Sequence, residues 1–309
     1  MRIAYLILAH NNPAHLQRLV QRLAAPGSAF YVHIDANADL APFAGLRGQG
    51  VTFCERRVAC SWGDISLVKA TLELMRRARA DQPYDYFVLL SGACYPLQTA
   101  AYIERFLEQH RGTEFIETFA LPNAEYGKSL ERITRFWIRK GKPLARFRWP
   151  LQHFLNRHLP LRKYDKVLQG GSPVTGSQWW CLSGAAVQHV LDYHAQHPAL
   201  YRFCRFVDCS DEFFFQVILW NSRFRAHISH SLTFTHWLPG KMSPEIIDAS
   251  YLPRFAGSVA YDSEQNNCPN EKREVLFARK FSDASGAVLD AIDVLADRRA
   301  EAVSPAHSA

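Results

Sequence analysis

The apolar positions of this chain change period repeatedly, and each change marks an element. RIAYLILAH is a short unbroken apolar run ending at His10, which reads as a buried strand. Pro13 opens a stretch with helical spacing that runs to Leu23. AFYVHIDAN is a second strand ending in Asp35, and VTFCE is a third. From Ile65 to Ala80, Leu67, Leu72, Leu74 and Met75 alternate with Lys69, Arg76, Arg77 and Arg79 at helical spacing. DYFVLLSG is a fourth strand, residues 99–110 a helix, and EFIET a fifth strand. Apolar strands alternating with helices predict an α/β fold, with a mostly parallel central sheet covered by helices on both faces.

The second half is less regular. Residues 120–175 are basic and aromatic (Phe136, Trp137, Phe147, Trp149), with Pro143, Pro150 and Pro160 breaking them into short helices and loops. They predict a wall or lid. GGSPVTGSQWWCLSG follows, where glycines allow close backbone approach and Trp179 and Trp180 offer flat faces for a sugar ring or for core packing. Residues 184–196 are helical. VDCSDEFFFQVILWNS, Val207 to Ser222, reads as one helix with Ser210 as its N-cap and Asp211 and Glu212 in its first turn. Phe213, Phe214, Phe215, Val217, Ile218 and Leu219 form its apolar body. A short strand at Leu232–Thr235, a loop over 239–274, LFARKF, and a helix over about 284–300 complete the chain. This predicts a single domain over 1–283 with 120–175 as an insertion, then a C-terminal helix and a disordered tail over 284–309.

Composition is that of an ordinary globular protein: 309 residues, 48% hydrophobic and 21% charged. No apolar run approaches the roughly 20 residues that span a bilayer. The N-terminal run lacks a small-residue cleavage site, so the expected location is cytoplasmic. Seven scattered cysteines without a C-x-x-C predict buried free thiols rather than disulfides or zinc. The net charge of +7 is localised. Lys128 to Lys166 holds twelve Lys/Arg against Glu131 and Asp165, a net of +10, which leaves the remainder at −3. One anionic partner at one place is implied.

Ligands of open α/β sheets sit beyond the carboxyl ends of the strands. His10, Asp35, Ser91 and Glu117 all fall there, which suggests a nucleotide pocket. G-x-G-x-x-G, G-x-x-x-x-G-K-[ST] and G-x-S-x-G are all absent, which removes the main support for dinucleotide, P-loop and hydrolase-elbow readings. Glu212 and Asp211 could supply a general base or could serve only as helix caps.

AYLILAHNNP, YVHIDAN, CSWGDISLVKATLELM, YDYFVLLSGACYPLQT, EFIET, GSQWWCLS, SDEFFFQVILWNS and LFARKF, in this order, resemble the core-2/I-branching glycosyltransferase family. That family includes β-1,6-N-acetylglucosaminyltransferases and peptide O-xylosyltransferases. The resemblance implies a GT-A-like nucleotide-sugar-binding fold, a UDP-sugar donor (N-acetylglucosamine or xylose), inversion at the anomeric carbon and no required metal or other cofactor. The sequence holds no D-x-D, and Asp262-Ser263-Glu264 comes nearest. Arg279 and Lys280 match the basic pair that contacts the donor diphosphate, and Glu212 matches the catalytic base. Asp35 matches a nucleoside-side carboxylate, with His10, Ser61, Trp62 and Ser91 lining the same pocket. Glu117, Trp180 and Asp211 fall on the acceptor side. The chain is longer than its relatives between His236 and LFARKF, so acceptor contacts do not carry over there. Stem, membrane anchor and disulfide cysteines are absent, which fits a bacterial-type cytoplasmic enzyme of surface polysaccharide synthesis acting on a glycan or lipid-linked glycan.

The basic segment 128–166 leaves alternatives open. It suits a non-catalytic module that grips nucleic acid or anionic polymer. It also suits peripheral docking at the inner leaflet, or a solvated lid. For the glycosyltransferase reading no nucleic-acid partner is expected.

Overall fold

All seven residues of the strand Ile3–Ala9 are buried, because it has strands on both edges and helices on both faces. The computed structural model describes residues 1–48, 50–139, 145–238, 240–241, 243–256, 260–262 and 272–303. In chain order the strands are β1 (Ile3–Ala9), β2 (Ser28–Ile34), β3 (Val51–Phe53), β4 (Tyr86–Ser91), β5 (Cys94–Pro96), β6 (Glu114–Ile116) and β7 (Phe119–Ala120). They continue as β8 (Val174–Thr175), β9 (Trp180–Ser183), β10 (Ile228–Ser229), β11 (Thr233–Thr235), β12 (Ala260–Asp262), β13 (Lys272–Glu274) and β14 (Phe277–Arg279). The central sheet runs β10-β6-β9-β4-β1-β2-β3. It is parallel except for β9, which lies antiparallel between β4 and β6.

Alternation along β1 sorts the core into two layers. Ile3, Tyr5 and Ile7 pack with Leu16, Leu19 and Leu23 of helix Pro13–Leu23 and with Ile103 and Phe106 of helix Ala100–Gln109. Ala4, Leu6 and Leu8 pack with Val68, Leu72 and Met75 of helix Ile65–Asp81 and with Val187 and Val190 of helix Gly184–Gln196. The expected mostly parallel sheet with helices on both faces is therefore present. The last helix, Gly286–Val303, belongs to the first layer. Val288, Leu289 and Ile292 enter that core, and Arg18 and Arg22 pair with Asp293 and Asp297. The C-terminal helix is thus integral to the domain rather than an appendage, while residues 304–309 lie outside the described residues.

One sequence expectation needs correction. Val207 to Ser222 is not one helix. Ser210–Glu212 forms a 3-10 turn, Phe213 breaks it at φ −122°, and the α-helix proper is Phe214–Trp220. Three consecutive phenylalanines, all buried, cannot share one face of one helix, and the break lets each reach the core. Ser210 caps nothing forward; its hydroxyl donates backward to the Cys204 carbonyl at 2.8 Å. Asp211 and Glu212 are therefore not first-turn residues of an α-helix. Within GGSPVTGSQWWCLSG, Trp180–Ser183 supplies the antiparallel strand β9. Being short and buried on both faces, β9 shows no alternation in its sequence.

Candidate active site

The site is built at the carboxyl edge of the sheet. The Asp35 N–H donates to the Ala9 carbonyl at 2.8 Å, and the Gly92 N–H to the Leu8 carbonyl at 2.8 Å, so β1, β2 and β4 end together. A Cβ on Gly92 would stand 2.7 Å from that of Ala9, so this turn admits glycine only. The chain then forms β5, which pairs antiparallel with β14 and sets Arg279 opposite Cys94. A residue far along the sequence is thereby delivered beside Ser91, whose hydroxyl lies 3.2 Å from the Cys94 sulfur.

Asp35 shapes the neighbouring loop. Its carboxylate accepts from the Cys60 N–H at 3.1 Å and from the Asn37 N–H at 2.8 Å. Ser61 donates its N–H to the Ser66 hydroxyl, and Asp64 caps helix Ile65–Asp81 through the Ser66 N–H. Gly63, at φ +66°, lets the loop pass close to Cys209, and Trp62 stands 54% exposed with the Arg139 guanidinium 5.1 Å from its ring. His10 is exposed just past the end of β1. This loop packs against the Ser210–Glu212 turn.

The two acids of that turn have different surroundings. Asp211 is buried, and its Oδ1 has no hydrogen-bond partner. Burial, then the adjacent Glu212 charge, pushes its carboxyl up to about 7. Glu212 is 24% exposed and accepts from Arg132 at 2.8 Å and from Lys128 at 3.4 Å. Arg132 also reaches Asp208 at 3.3 Å and the Thr175 hydroxyl at 3.3 Å. The Glu212 carbonyl accepts from the Thr175 hydroxyl at 2.8 Å and from the Gly176 N–H at 2.9 Å. A Cβ on Gly176 would fall 1.7 Å from the Glu117 carbonyl oxygen, so this glycine is what allows the Glu117 and Glu212 backbones to approach it from either side.

Arg279 lies on the Asp211 side, with Lys280 next to it in the chain. Arg279 places its guanidinium 4.5 Å from the Trp179 ring centre, and its Nε lacks a partner. Burial lowers its pKa, opposed by the Cys94 thiol and the Asp211 carboxylate. Lys280 is likewise lowered by burial and then by the Arg279 charge. Among the described residues neither cation forms an ion pair with a carboxylate. Two adjacent, half-buried cations without an acid partner are disfavoured alone and become favourable when an anion binds.

The edge therefore gathers Asp35, Ser61, Trp62, Ser91, Glu117, Asp211, Glu212, Arg279 and Lys280. Trp180 departs from expectation. It is 2% exposed and packs in the core 5.7 Å from the Phe215 ring, so it offers no face to an acceptor. Trp180 and Leu182 face the layer of helix Phe214–Trp220, where Trp179 is also buried. Trp179, preceding the strand, takes the place beside Arg279. Arg132 is the residue sequence reasoning missed. It reads as one of twelve charges on a basic segment, yet it is 8% exposed and holds Glu212. Its pairing with Asp208 and Glu212 is tertiary and has no local signature. Among the described residues no three His, Cys, Asp or Glu side chains converge as a metal cage, and Ser263 and Glu264 of the nearest D-x-D-like triplet lie outside them. The six described cysteines are free, as expected.

The family model for the Core-2/I-Branching enzyme matches residues 3–256. Xylosyltransferase 1 of Canis lupus familiaris is 25% identical over 247 residues, covering 77% of this chain and 24% of that protein. Human xylosyltransferase 2 is 25% identical over 310 residues, covering 95% of this chain and 33% of that protein. The chain thus spans about a quarter to a third of the length of the curated relatives it matches. A solved structure of 4-diphosphocytidyl-2C-methyl-D-erythritol synthase overlaps 62% of this chain and 80% of its own at 9% identity, with a TM-score of 0.30. The chain belongs to the Core-2/I-Branching enzyme family of glycosyltransferases.

Proposed function

We propose that the protein is an inverting, metal-independent glycosyltransferase. It moves a sugar, N-acetylglucosamine or xylose, from a UDP-sugar to a hydroxyl of a glycan or glycolipid acceptor, in surface polysaccharide synthesis. The observation that carries the proposal is the pair Arg279–Lys280, two half-buried cations without an acid partner among the described residues, next to the acidic turn Asp211–Glu212. The guanidinium fork and the ammonium suit the diphosphate and the charge that develops on the leaving UDP. Asp35, Ser61, Trp62 and Ser91 are assigned to the nucleoside end. The acceptor oxygen attacks the anomeric carbon, the carbon–oxygen bond to phosphate breaks with its electron pair leaving on UDP, and Glu212 takes the hydroxyl proton. Arg132 holds that carboxylate in place through its hydrogen bond, and a weak base suffices when the proton leaves late. The relatives named xylosyltransferases support xylose as one of the two sugars.

The inward-turned charges weigh against a nucleic-acid module. Arg132 is committed to Glu212, and Arg162 bonds the Ile133, Phe206 and Phe203 carbonyls while burial lowers its pKa to about 10. A donor screen by thermal unfolding tests the reading. A UDP-sugar at a hundred times its Kd should stabilise the protein by about 2.7 kcal/mol, with GDP- and CMP-sugars far weaker. Stabilisation by GDP- or CMP-sugars alone would contradict it.

A further inference from the structure

The helix Arg148–His158 exposes large apolar side chains alongside its polar ones. Gln152 and Asn156 tie it to the protein. The Gln152 side chain accepts from the Ile138 N–H at 3.2 Å, and Asn156 accepts from the Phe136 N–H at 2.8 Å and donates to the Phe136 carbonyl at 3.3 Å. Its outward arc carries Trp149, at 63% exposure, and Phe154, at 57%. Phe147 precedes the helix and Leu159 and Leu161 follow it, all exposed. Five of the nine large hydrophobic side chains found exposed among the described residues thus fall within 147–161. No residue of this helix is buried.

The charge along this stretch of the chain has one sign. From Arg135 to Lys163 the sequence holds nine Lys/Arg and no Asp or Glu. Arg146 lies over the Phe147 ring at 4.8 Å and Arg148 over Trp149 at 4.5 Å, so cationic heads border the exposed rings. A groove of about 310 Å³ between this helix and its support is lined by Arg135, His153 and Arg157 and by one acid, Glu131, among others. An aromatic and aliphatic arc bordered mainly by cations complements an anionic lipid interface. Rings enter the headgroup–acyl boundary while guanidinium groups meet phosphates. A second protein copy would bring the same positive rim against itself, which disfavours a symmetric dimer here.

We infer that the arc formed by Phe147, Trp149, Phe154, Leu159 and Leu161 docks the protein on an anionic lipid bilayer. The contact is peripheral, since no described helix is long and apolar enough to cross a membrane. It rests on surface residues alone and is independent of the proposed reaction. Sedimentation with phosphatidylcholine vesicles containing roughly one-third phosphatidylglycerol tests it, with pure phosphatidylcholine as the control. The full chain should co-sediment with the anionic vesicles, lose binding as salt rises, and ignore the neutral ones. W149A/F154A should weaken partitioning by about tenfold or more, through lost ring insertion. Each of Arg146→Gln and Arg148→Gln should weaken it about fivefold. Circular dichroism and UDP-binding measurements on each variant separate lost docking from misfolding. Absence of binding to anionic vesicles, or equal binding by W149A/F154A, overturns the inference. So does a dimer in sedimentation velocity that this double variant abolishes without any vesicle binding by the wild type.

Discussion

Arg132 donates to the Glu212 carboxylate at 2.8 Å from a buried position, while its guanidinium also reaches Asp208. The proposed base is thus oriented by a fixed cation before any acceptor arrives. Removing that cation should act on both structure and turnover. Arg132→Ala leaves Glu212 to Lys128 and Asp208 to Arg139 beside a cavity and should lower unfolding stability by roughly 2–4 kcal/mol. Arg132→Lys should recover part of the stability but less of the turnover, because an ammonium cannot hold both acids with a planar fork. Urea unfolding together with single-turnover donor hydrolysis checks both. A turnover unchanged in a folded Arg132→Ala would remove Arg132 from the site.

Arg279 and Lys280 are assigned to phosphate rather than to the base or ribose. Alanine at either position should weaken UDP by roughly ten- to a hundredfold, the value of a charge-assisted contact of ~1.5–3 kcal/mol, and should leave uridine nearly unaffected. Isothermal titration with both ligands measures this. Equal loss for uridine and UDP would place the pair away from the diphosphate.

Chelation tests the metal-free reading. With two cations taking the diphosphate charge, UDP affinity in EDTA should match that without it within about twofold, a change of under ~0.5 kcal/mol. Loss of affinity in EDTA, restored by Mn²⁺, would contradict it.

Asp211 makes stability depend on pH with a definite sign. Burial, then the Glu212 charge, raises its carboxyl to about 7 in the folded protein, against 3.8 as its ordinary value. The folded state therefore holds a proton that the unfolded state releases between these values. The stability this proton contributes is full below pH 3.8 and is lost as pH rises through about 7. Asp211→Asn stays neutral throughout, so its stability relative to wild type should increase from pH 5 to pH 8, by at most ~1.4 kcal/mol per unit. Urea unfolding at both values measures the difference. A difference independent of pH would mean that Asp211 is already ionised in the fold.

Much of this fold is written locally. Helices Pro13–Leu23, Ile65–Asp81 and Gly184–Gln196 lie within a residue of the limits that apolar spacing and capping residues suggest. Asp35 and Ser91 could be placed at the pocket edge because strand ends are visible in sequence and parallel sheets bind ligands there. The rest depends on pairing between distant segments. That Trp179 rather than Trp180 meets the Arg279 guanidinium is settled only by the long-range pairing that brings β14 beside β5. Ser210 looks like an N-cap by type, yet the left-handed Cys209 at φ 51° and the three buried phenylalanines redirect it. Arg132 is indistinguishable by type from its solvated neighbours until Asp208 and Glu212 close around it.

The role of Glu212 is the centre of the reading, and turnover of Glu212→Gln tests it most directly, with Asp211→Asn as the control. Glutamine keeps the size of the side chain and an acceptor oxygen for Arg132 but cannot accept the proton. Donor affinity should stay within a few-fold while turnover, with a working acceptor or with water in its place, falls by ~10²–10⁴-fold. Asp211→Asn should retain most turnover. Activity preserved in Glu212→Gln, or abolished by Asp211→Asn alone, would contradict the assignment of Glu212 as the base.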